Sequence, residues 1–143
     1  MTESRRINSQ GVFMGKLRFG GDLLEELTDV CRKNSVQLGR VQALGAVRKA
    51  RIGFYDQETR TYQFATLDRP MEIVNLTGNV SLKDGEPFVH AHVTLADETG
   101  DACGGHLAPG TIVFACEFVL EAFDGPVFAR ATDKETGLPL WSL

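Results

Sequence analysis

The sequence predicts an α+β domain in which a mostly antiparallel sheet of about seven strands carries one main helix. Three observations predict this class. Apolar residues recur at helical spacing in one segment, about residues 22–34. Most other apolar segments are short and alternate with polar residues, which is the period of strands. Turn residues such as Asp84-Gly85 separate these segments, as they do in β-hairpins.

The first strand and the helix come from the N-terminal part of the chain. Residues 12–18 are apolar, with Lys16 and Arg18 toward the end, and predict a strand that ends before Gly20-Gly21. Asp22 can cap the helix that follows, and Glu25 stands three residues later, the spacing of a capping box. One apolar stripe runs along this helix and consists of Leu23, Leu24, Leu27, Val30 and Cys31. Cys31 is therefore expected in the core rather than in a reactive site.

The central part of the chain predicts four strand segments. Residues 37–46 and 49–56 are the first two, with a bend or bulge at Gly45, and residues 61–66 return as a hairpin partner. Residues 71–82 alternate over a long strand. Its predicted core face consists of Val74, Leu76, Val80 and Leu82, and its other face of Ile73, Asn75, Thr77, Asn79 and Ser81.

The remaining strands lie at 88–95, 102–107 and 111–121. In the first of these, Val89, Ala91, Val93 and Leu95 form one apolar face, and Phe88, His90, His92 and Thr94 form the other. In the last, the apolar face is predicted to be Ile112, Phe114, Cys116, Phe118 and Leu120, with Glu117 on the opposite face. The polar tail contains Trp141 and is expected to dock on the body or across a subunit boundary.

The chain has 143 residues, and we expect one domain over 1–143, with a core at about 11–123 and a tail at 124–143. It contains no apolar run of about 18 residues and no apolar segment typical of a secretory signal. Its three cysteines are an odd number without framework spacing, which favours a reducing compartment. We therefore expect a cytoplasmic protein that has no contact with a membrane.

Charge is distributed unevenly along the chain. Residues 1–83 carry 13 Lys and Arg against 9 Asp and Glu, whereas residues 84–143 carry 2 against 10, for a net charge of −4. The basic part includes a cluster of Arg40, Arg48, Lys49 and Arg51, which is either a solvated strand face or a patch for an anionic partner. The acidic part contains the histidines, where it is expected to favour a cation.

All three histidines of the chain, His90, His92 and His106, lie between residues 78 and 120. His90 and His92 are separated by one residue on a predicted strand, so both side chains point to one face, about 6–7 Å apart. Two such imidazoles can bind one ion, and a third from a neighbouring segment leaves the fourth position of a zinc ion open. Zinc is favoured, with nickel, cobalt and iron as alternatives. The other interpretation is that these are hydrogen-bonded histidines of a core or interface.

Other polar residues are candidates for the same site. Glu117 stands on an otherwise apolar strand and is a candidate ligand, general acid or base, or partner that orients a histidine; the alternative is an edge or interface carboxylate. Cys103 is either a ligand or a small buried thiol. Asn79 and Ser81 are candidates for the pocket wall; the alternative is that they are simply residues of the polar strand face. No Walker loop, dinucleotide-binding glycine motif or nucleophile elbow is present.

These motifs resemble the plants-and-prokaryotes-conserved (PPC) domain family over nearly the whole chain. The matching residues are Glu72-Ile73-Val74-Asn75-Leu76-Thr77-Gly78, then Asn79-Val80-Ser81, Gly85, Pro87, Phe88, His90, His92, Gly104-Gly105-His106-Leu107, Val113 and Glu117. The resemblance implies an α+β domain that assembles as a homotrimer, with zinc on His90, His92 and His106 as in some prokaryotic members. The fold of this family is also similar to that of zinc-dependent acetolactate decarboxylase.

Three functions follow as hypotheses. The first is a stand-alone, metal-binding, trimeric PPC domain with a regulatory or assembly role. The second is a zinc-dependent enzyme for a small molecule, a lyase or hydrolase, that uses the three histidines and Glu117. The third is DNA binding through the basic cluster. Plant relatives bind DNA through an added AT-hook, but this sequence has no Arg-Gly-Arg-Pro hook and is net acidic, which argues against direct DNA binding.

Overall fold

A computed structural model describes residues 2–143, which form one helix and a sheet of nine strands. The predicted α+β class, with one helix on a mostly antiparallel sheet, is confirmed. Strands outnumber the expected seven because the tail adds two, while the two segments predicted at 37–46 and 49–56 form one strand. The elements are β1 (Asn8–Lys16), α1 (Leu23–Lys33), β2 (Gly39–Asp56), β3 (Thr61–Leu67), β4 (Met71–Lys83), β5 (Glu86–Ala96), β6 (Ala102–Leu107), β7 (Ile112–Asp124), β8 (Ala129–Thr132) and β9 (Pro139–Ser142).

The strand β2 organises the sheet because it is 18 residues long and has different neighbours in its two halves. Its first half pairs with β7 on one side and β4 on the other, and its second half pairs with β3 and β6. Since β4 also pairs with β5, and β5 with β6, the strands β2, β4, β5 and β6 close into a ring. Beyond the ring, β1 pairs with β7, and β8 and β9 extend the sheet from β4.

A bulge at Gly45 divides the two halves of β2, where the sequence predicts one. The φ angle of Gly45 is 145°, and the register with β4 shifts between Ala43 and Gly45. A Cβ atom here would collide with the carbonyl oxygen of Ala115 on β7. Glycine is therefore required both by the backbone conformation and by the close approach of β7.

The helix begins where the capping signal predicts it. Asp22 Oδ1 accepts hydrogen bonds from the backbone N–H groups of Leu24 and Glu25, both at 3.1 Å. Glu25 does not close a capping box, because its carboxylate accepts a hydrogen bond from Arg32 instead (2.8 Å). Cys31 is buried in the core, and burial raises the pKa of its thiol to about 11, as expected for an unreactive position. Among the described residues, no helix has the length and apolar character needed to cross a membrane.

In two strands, the predicted core face is wrong at one pair of neighbouring residues. The pairing of β4 with β5 is irregular between Ile73 and Asn75, so Ile73 is 3% exposed whereas Val74 is 58% exposed. In β7, Val113 is fully buried and Phe114 is 58% exposed, near a register shift against β2. Each irregularity shifts the alternation by one residue, which moves a side chain to the other face.

The tail docks on the body of the same chain, one of the two alternatives that the sequence left open. The strands β8 and β9 form a hairpin, and Leu82 of β4 donates a backbone hydrogen bond to Phe128 at 2.9 Å. Phe128 is buried, and the ring of Trp141 meets it edge-on with 5.1 Å between centroids. These contacts place β8 along β4, and β4 in turn pairs with β5, the strand that carries two of the histidines.

Candidate metal centre

The structure brings the three histidines together on one face of the sheet. His90 and His92 lie on β5 and His106 on β6, where His92 and His106 are direct cross-strand partners. One ligand atom from each histidine lies within 4.8 Å of those of the other two. The ring centroids are 5.1 Å apart for His90 and His92, 5.2 Å for His90 and His106, and 5.7 Å for His92 and His106.

The alternation of β5 explains the direction of two of these side chains. Val89, Ala91 and Val93 are buried on the core side, which leaves His90 and His92 on the opposite face. The third histidine depends on glycine. A Cβ atom at Gly105 would lie 2.7 Å from the carbonyl oxygen of Gly53 on β2, too close for a real side chain. Glycine before His106 therefore allows β6 to pair with β2 and bring the imidazole to the cluster.

The electrostatic environment keeps two of these imidazoles neutral. The pKa of His90 is lowered to about 4, mainly by burial, and the neighbouring His106, Arg130 and His92 contribute in the same direction. The pKa of His106 is also lowered, first by burial and then by His92 and Arg130. A neutral imidazole has a free lone pair, which is the form that binds a metal ion.

His106 also carries a polar atom without a partner. Its Nδ1 is buried and forms no hydrogen bond with the described residues. An unsatisfied buried nitrogen is costly, whereas a metal ion bound to it would use its lone pair. The donor set therefore fits a divalent metal ion that prefers imidazole. The group comprises three protein residues among the histidines, cysteines and carboxylates described, so a fourth position remains open to a ligand.

A cavity of about 450 Å³ adjoins the three histidines. Its walls are aromatic and aliphatic, with two cations and no carboxylate. The lining residues are Gly53, Phe54, Tyr55, Tyr62, Lys83, Phe88, His90, His92, Gly105, His106, Arg130, Leu138, Pro139 and Leu140. The prediction of acidic surroundings is therefore wrong for this cavity. The acidic residues are close to the histidines in sequence, but the charged residues that line the cavity, Lys83 and Arg130, are basic.

The most important residue that the sequence analysis missed is Arg130. Its Nε donates to Ser81 Oγ at 3.0 Å, its Nη2 to Asn79 Oδ1 at 2.6 Å and its Nη1 to the carbonyl of Pro139 at 2.8 Å. Asn79 and Ser81, predicted as candidates for the pocket wall, are not among the residues that line this cavity, but they hold the guanidinium group of Arg130 at its wall. The available signal was that Arg130 is one of only two basic residues in the acidic region 84–143.

A second residue absent from the sequence analysis is Tyr62 of β3. Its ring lies 4.8 Å from that of His106, measured between centroids, and it lines the same cavity. Burial raises the pKa of Tyr62, so its hydroxyl group stays protonated at neutral pH. This side chain covers one side of the histidine cluster. The spacing of the two residues in the sequence does not indicate this contact, because it arises from the pairing of both β3 and β6 with β2.

Glu117 lies outside this cluster. It is exposed on β7, pairs with Lys16 and Leu44, and lines a different cavity. Along β2, Leu44 and the partner of His106, Gly53, are separated by roughly 30 Å of extended strand. Within one chain, therefore, Glu117 is not positioned to act on the histidines as ligand, acid, base or orienting partner. Alternation predicted its face but could not predict its place across the sheet.

The structure also places Cys103 and the basic cluster outside the histidine site. Cys103 is exposed, so it is not the small buried thiol, and it is not part of the three-histidine group. It stands three positions before His106, an odd number, which places the two side chains on opposite faces of β6. The basic residues divide among separate partners: Arg40 donates to Glu121 at 2.7 Å, Arg48 lies over Phe19 and Arg51 over Phe64.

Comparison with known families identifies the domain. A model of the Plants and Prokaryotes Conserved (PCC) domain, abbreviated PPC above, matches residues 5–124. The chain belongs to this family. Two solved structures share the PPC fold over almost their whole length. A metal-containing protein from Archaeoglobus fulgidus is 38% identical with a TM-score of 0.94, covering 99% of this chain and 100% of that one. A PPC protein from Pyrococcus horikoshii is 33% identical with a TM-score of 0.93, covering 99% and 98%.

Two further proteins are similar to this chain over only part of their own length. The bifunctional protein GlmU of a Synechococcus strain is 35% identical over 120 residues, which are 82% of this chain. The chain spans less than a fifth of the length of the curated relatives it matches (18% and 19%). Acetolactate decarboxylase from Bacillus subtilis has a TM-score of 0.57 at 14% identity, over 82% of this chain and 55% of that one. That likeness shows a shared fold alone.

Proposed function

We propose that this PPC protein binds a zinc ion through His90, His92 and His106 and acts, as a homotrimer, in a regulatory or assembly role. The observation that carries the metal site is the convergence of three imidazoles around the unpaired Nδ1 of His106. The similarity to a metal-containing archaeal protein supports it. Zinc is the metal of choice because three imidazoles with one open position form a common zinc site.

Metal analysis tests this site directly. After removal of metal with a chelator and dialysis against zinc, the protein should retain one zinc ion per chain, measured by mass spectrometry of the metal content. Replacing His106 with alanine removes one of three ligands, so His106→Ala should retain far less than one. Cys103→Ser is the matched control, because Cys103 is exposed and outside the group, and it should retain zinc as the unmodified protein does. A chain that takes up no zinc contradicts the proposal.

The homotrimer is supported by an apolar surface on the open face of the sheet. Met14, Leu44 and Val74 are 78%, 59% and 58% exposed and line one cavity of about 730 Å³ with Glu117. Exposed apolar patches of this kind mark interfaces between proteins. A second and third copy of the chain are the proposed occupants, and Glu117 is then an interface carboxylate, as one of the alternatives has it.

A second function, a zinc-dependent enzyme for a small molecule, is favoured by the cavity beside the histidines. Its volume of about 450 Å³ and its apolar walls suit a small organic ligand. A zinc ion at this position supplies either polarisation of a carbonyl group or a bound water of lowered pKa. The chain itself contributes aromatic walls that exclude water, the hydroxyl group of Tyr62 and the cationic groups of Lys83 and Arg130. A lyase or a hydrolase is the proposed reaction class.

A further inference from the structure

We infer that the cavity beside the three histidines binds a small organic carboxylate, whose carboxyl group pairs with Arg130. This inference names a ligand class for the proposed small-molecule function and rests on it. It begins from charge. Arg130 and Lys83 both line the cavity, while its lining contains no Asp or Glu. Among the described residues no carboxylate lies within ion-pair distance of either cation.

The guanidinium group of Arg130 is half-buried and has only neutral partners. Moving a cation out of water costs free energy unless an anion compensates it. Burial lowers the pKa of Arg130, which is the direction expected for a cation without a carboxylate beside it. The side chain therefore holds a positive charge that no carboxylate of the described residues compensates, at the wall of the cavity, where an anionic ligand can supply the missing partner.

The hydrogen bonds of Arg130 also fix its orientation. Ser81, Asn79 and the carbonyl of Pro139 each accept one N–H group. Since a guanidinium group has five N–H donors, each terminal nitrogen retains one that these partners leave unused. Two parallel N–H groups on neighbouring nitrogens match the two oxygens of a carboxylate. The group is thus held in place before the ligand binds, which reduces the entropic cost of binding.

The position of Arg130 relates the anion site to the metal site. Asn79, which holds the guanidinium group, is the direct cross-strand partner of His90 on β5. Arg130 and all three histidines line the same cavity. A ligand whose carboxylate contacts Arg130 would therefore present its other end to the three imidazoles.

The walls of the cavity specify the rest of the ligand. Phe54, Phe88, Leu138 and Leu140 provide apolar surface, so the body of the ligand should be apolar. Lys83 lies at 5.1 Å from the ring of Phe88 and is exposed, which places it at the mouth. Inorganic phosphate fits less well, because it has no apolar body to contact these walls. An aliphatic or aromatic monocarboxylate is thus the ligand class.

The test measures binding of benzoate by NMR titration of the full chain, with and without zinc. Benzamide has the same shape without the charge, and inorganic phosphate has charge without the apolar body. Benzoate should bind, whereas benzamide and phosphate should bind about tenfold more weakly, the effect expected for a charge-assisted hydrogen bond in an apolar pocket. Equal affinities for benzoate and benzamide would overturn the inference.

Variants separate an anion site from a structural role of Arg130 in the tail. Arg130→Met removes the guanidinium group and should weaken benzoate binding about tenfold. Since the same change can release β8 and β9, Lys83→Met is the second variant: it leaves the tail contacts intact and should weaken binding by about threefold. Lys134→Met, a change of an exposed lysine outside the cavity, is the matched control and should bind as the unmodified chain does.

The two proposals fail in different ways. Benzoate binding that depends on Arg130 and Lys83 in a chain that takes up no zinc supports the anion site and contradicts the zinc site. A chain that binds zinc but does not distinguish benzoate from benzamide contradicts the anion site alone. Unchanged benzoate affinity in a folded Lys83→Met variant and a folded Arg130→Met variant also contradicts it.

Discussion

At the scale of single residues, His90 shows how neighbouring groups decide the chemistry of a side chain. The sequence identifies it as half of a His-x-His pair, but burial and three neighbours determine its protonation state. The same neighbours, His92, His106 and Arg130, come from β5, β6 and β8. The imidazole of His90 is therefore neutral at neutral pH and can act as a nitrogen ligand. Its lowered pKa also has a measurable consequence for stability.

We predict that the metal-free protein loses stability as the pH falls from about 6.5 to about 4, because the pKa of His90 is near 4 in the folded state and 6.5 ordinarily. In this range the unfolded chain binds more protons than the folded chain, so the free energy of unfolding decreases with falling pH. Urea unfolding at a series of pH values measures the slope. Carboxylates titrate in the lower part of this range, so the control is His90→Gln, which should show a shallower slope. Equal slopes would argue against a buried neutral His90.

Arg130 is the residue whose role depends most on tertiary structure. It stands 24 positions after His106 in the chain, in a region whose net charge is negative. The pairing of Leu82 with Ala129 brings it beside β4, and three acceptors then hold its guanidinium group at the cavity wall. A count of charges along the sequence cannot predict the charge of a cavity, because the residues that line it come from five different strands and the tail.

At the scale of secondary-structure elements, the short strand β6 determines whether the metal site forms. It lies between β5 and β2, and it places His106 opposite both His92 and Gly53. Two glycines of β6, Gly104 and Gly105, make its close pairing with these two strands possible. The geometry gives the reason for glycine beside His106: a Cβ atom at Gly105 or Gly104 would collide with a carbonyl oxygen of the neighbouring strand.

We predict that Gly105→Ala destabilises the protein by about 1–3 kcal/mol, because the new Cβ atom has to displace backbone. The change should also weaken zinc binding, since His106 moves with β6. Urea unfolding and a competitive zinc titration measure the two effects. Gly11→Ala in β1 is the matched control, because nothing lies within 4 Å of its Cβ position, and its stability should change by less than about 1 kcal/mol. Similar effects of the two changes would contradict this account of β6.

Elements also explain where the pattern of alternating residues failed. The sequence predicted the buried face of β5 correctly, since Val89, Ala91, Val93 and Leu95 are each at most 4% exposed. It failed at Val74 and Phe114, where the register between strands is irregular. Alternation assumes an unbroken ladder, whereas a bulge depends on the partner strand, which the sequence of one segment does not contain.

At the scale of the whole molecule, the open face of the sheet is divided between two surfaces. One end carries the three histidines and their cavity, and β8 and β9 border it. The other end carries the apolar surface of Met14, Leu44 and Val74, which no element of the described chain covers. The proposed trimer would bury the second surface, while the bulge at Gly45 lies between the parts of β2 that contribute to each.

We predict that Leu44→Glu dissociates the proposed trimer, because it places a charge in the centre of the apolar surface. Analytical ultracentrifugation should show three times the chain mass of 15.7 kDa for the unmodified protein and a smaller species for the variant. Val127→Glu is the matched control, since Val127 is also exposed, at 69%, but lies outside this surface, and its mass should be unchanged. An unmodified protein that sediments as a monomer contradicts the trimer.

The sequence by itself determined the fold class, the helix and its cap, the buried face of β5, the family and the clustering of three histidines. These properties depend on local periodicity, turn chemistry and motif spacing, which can be read from short segments of the sequence. Only the tertiary structure decided that Glu117 lies away from the histidines, that Cys103 faces the other way and that Arg130 enters their cavity. Each depends on which strands pair and in which register, and register is set by contacts between residues far apart in sequence.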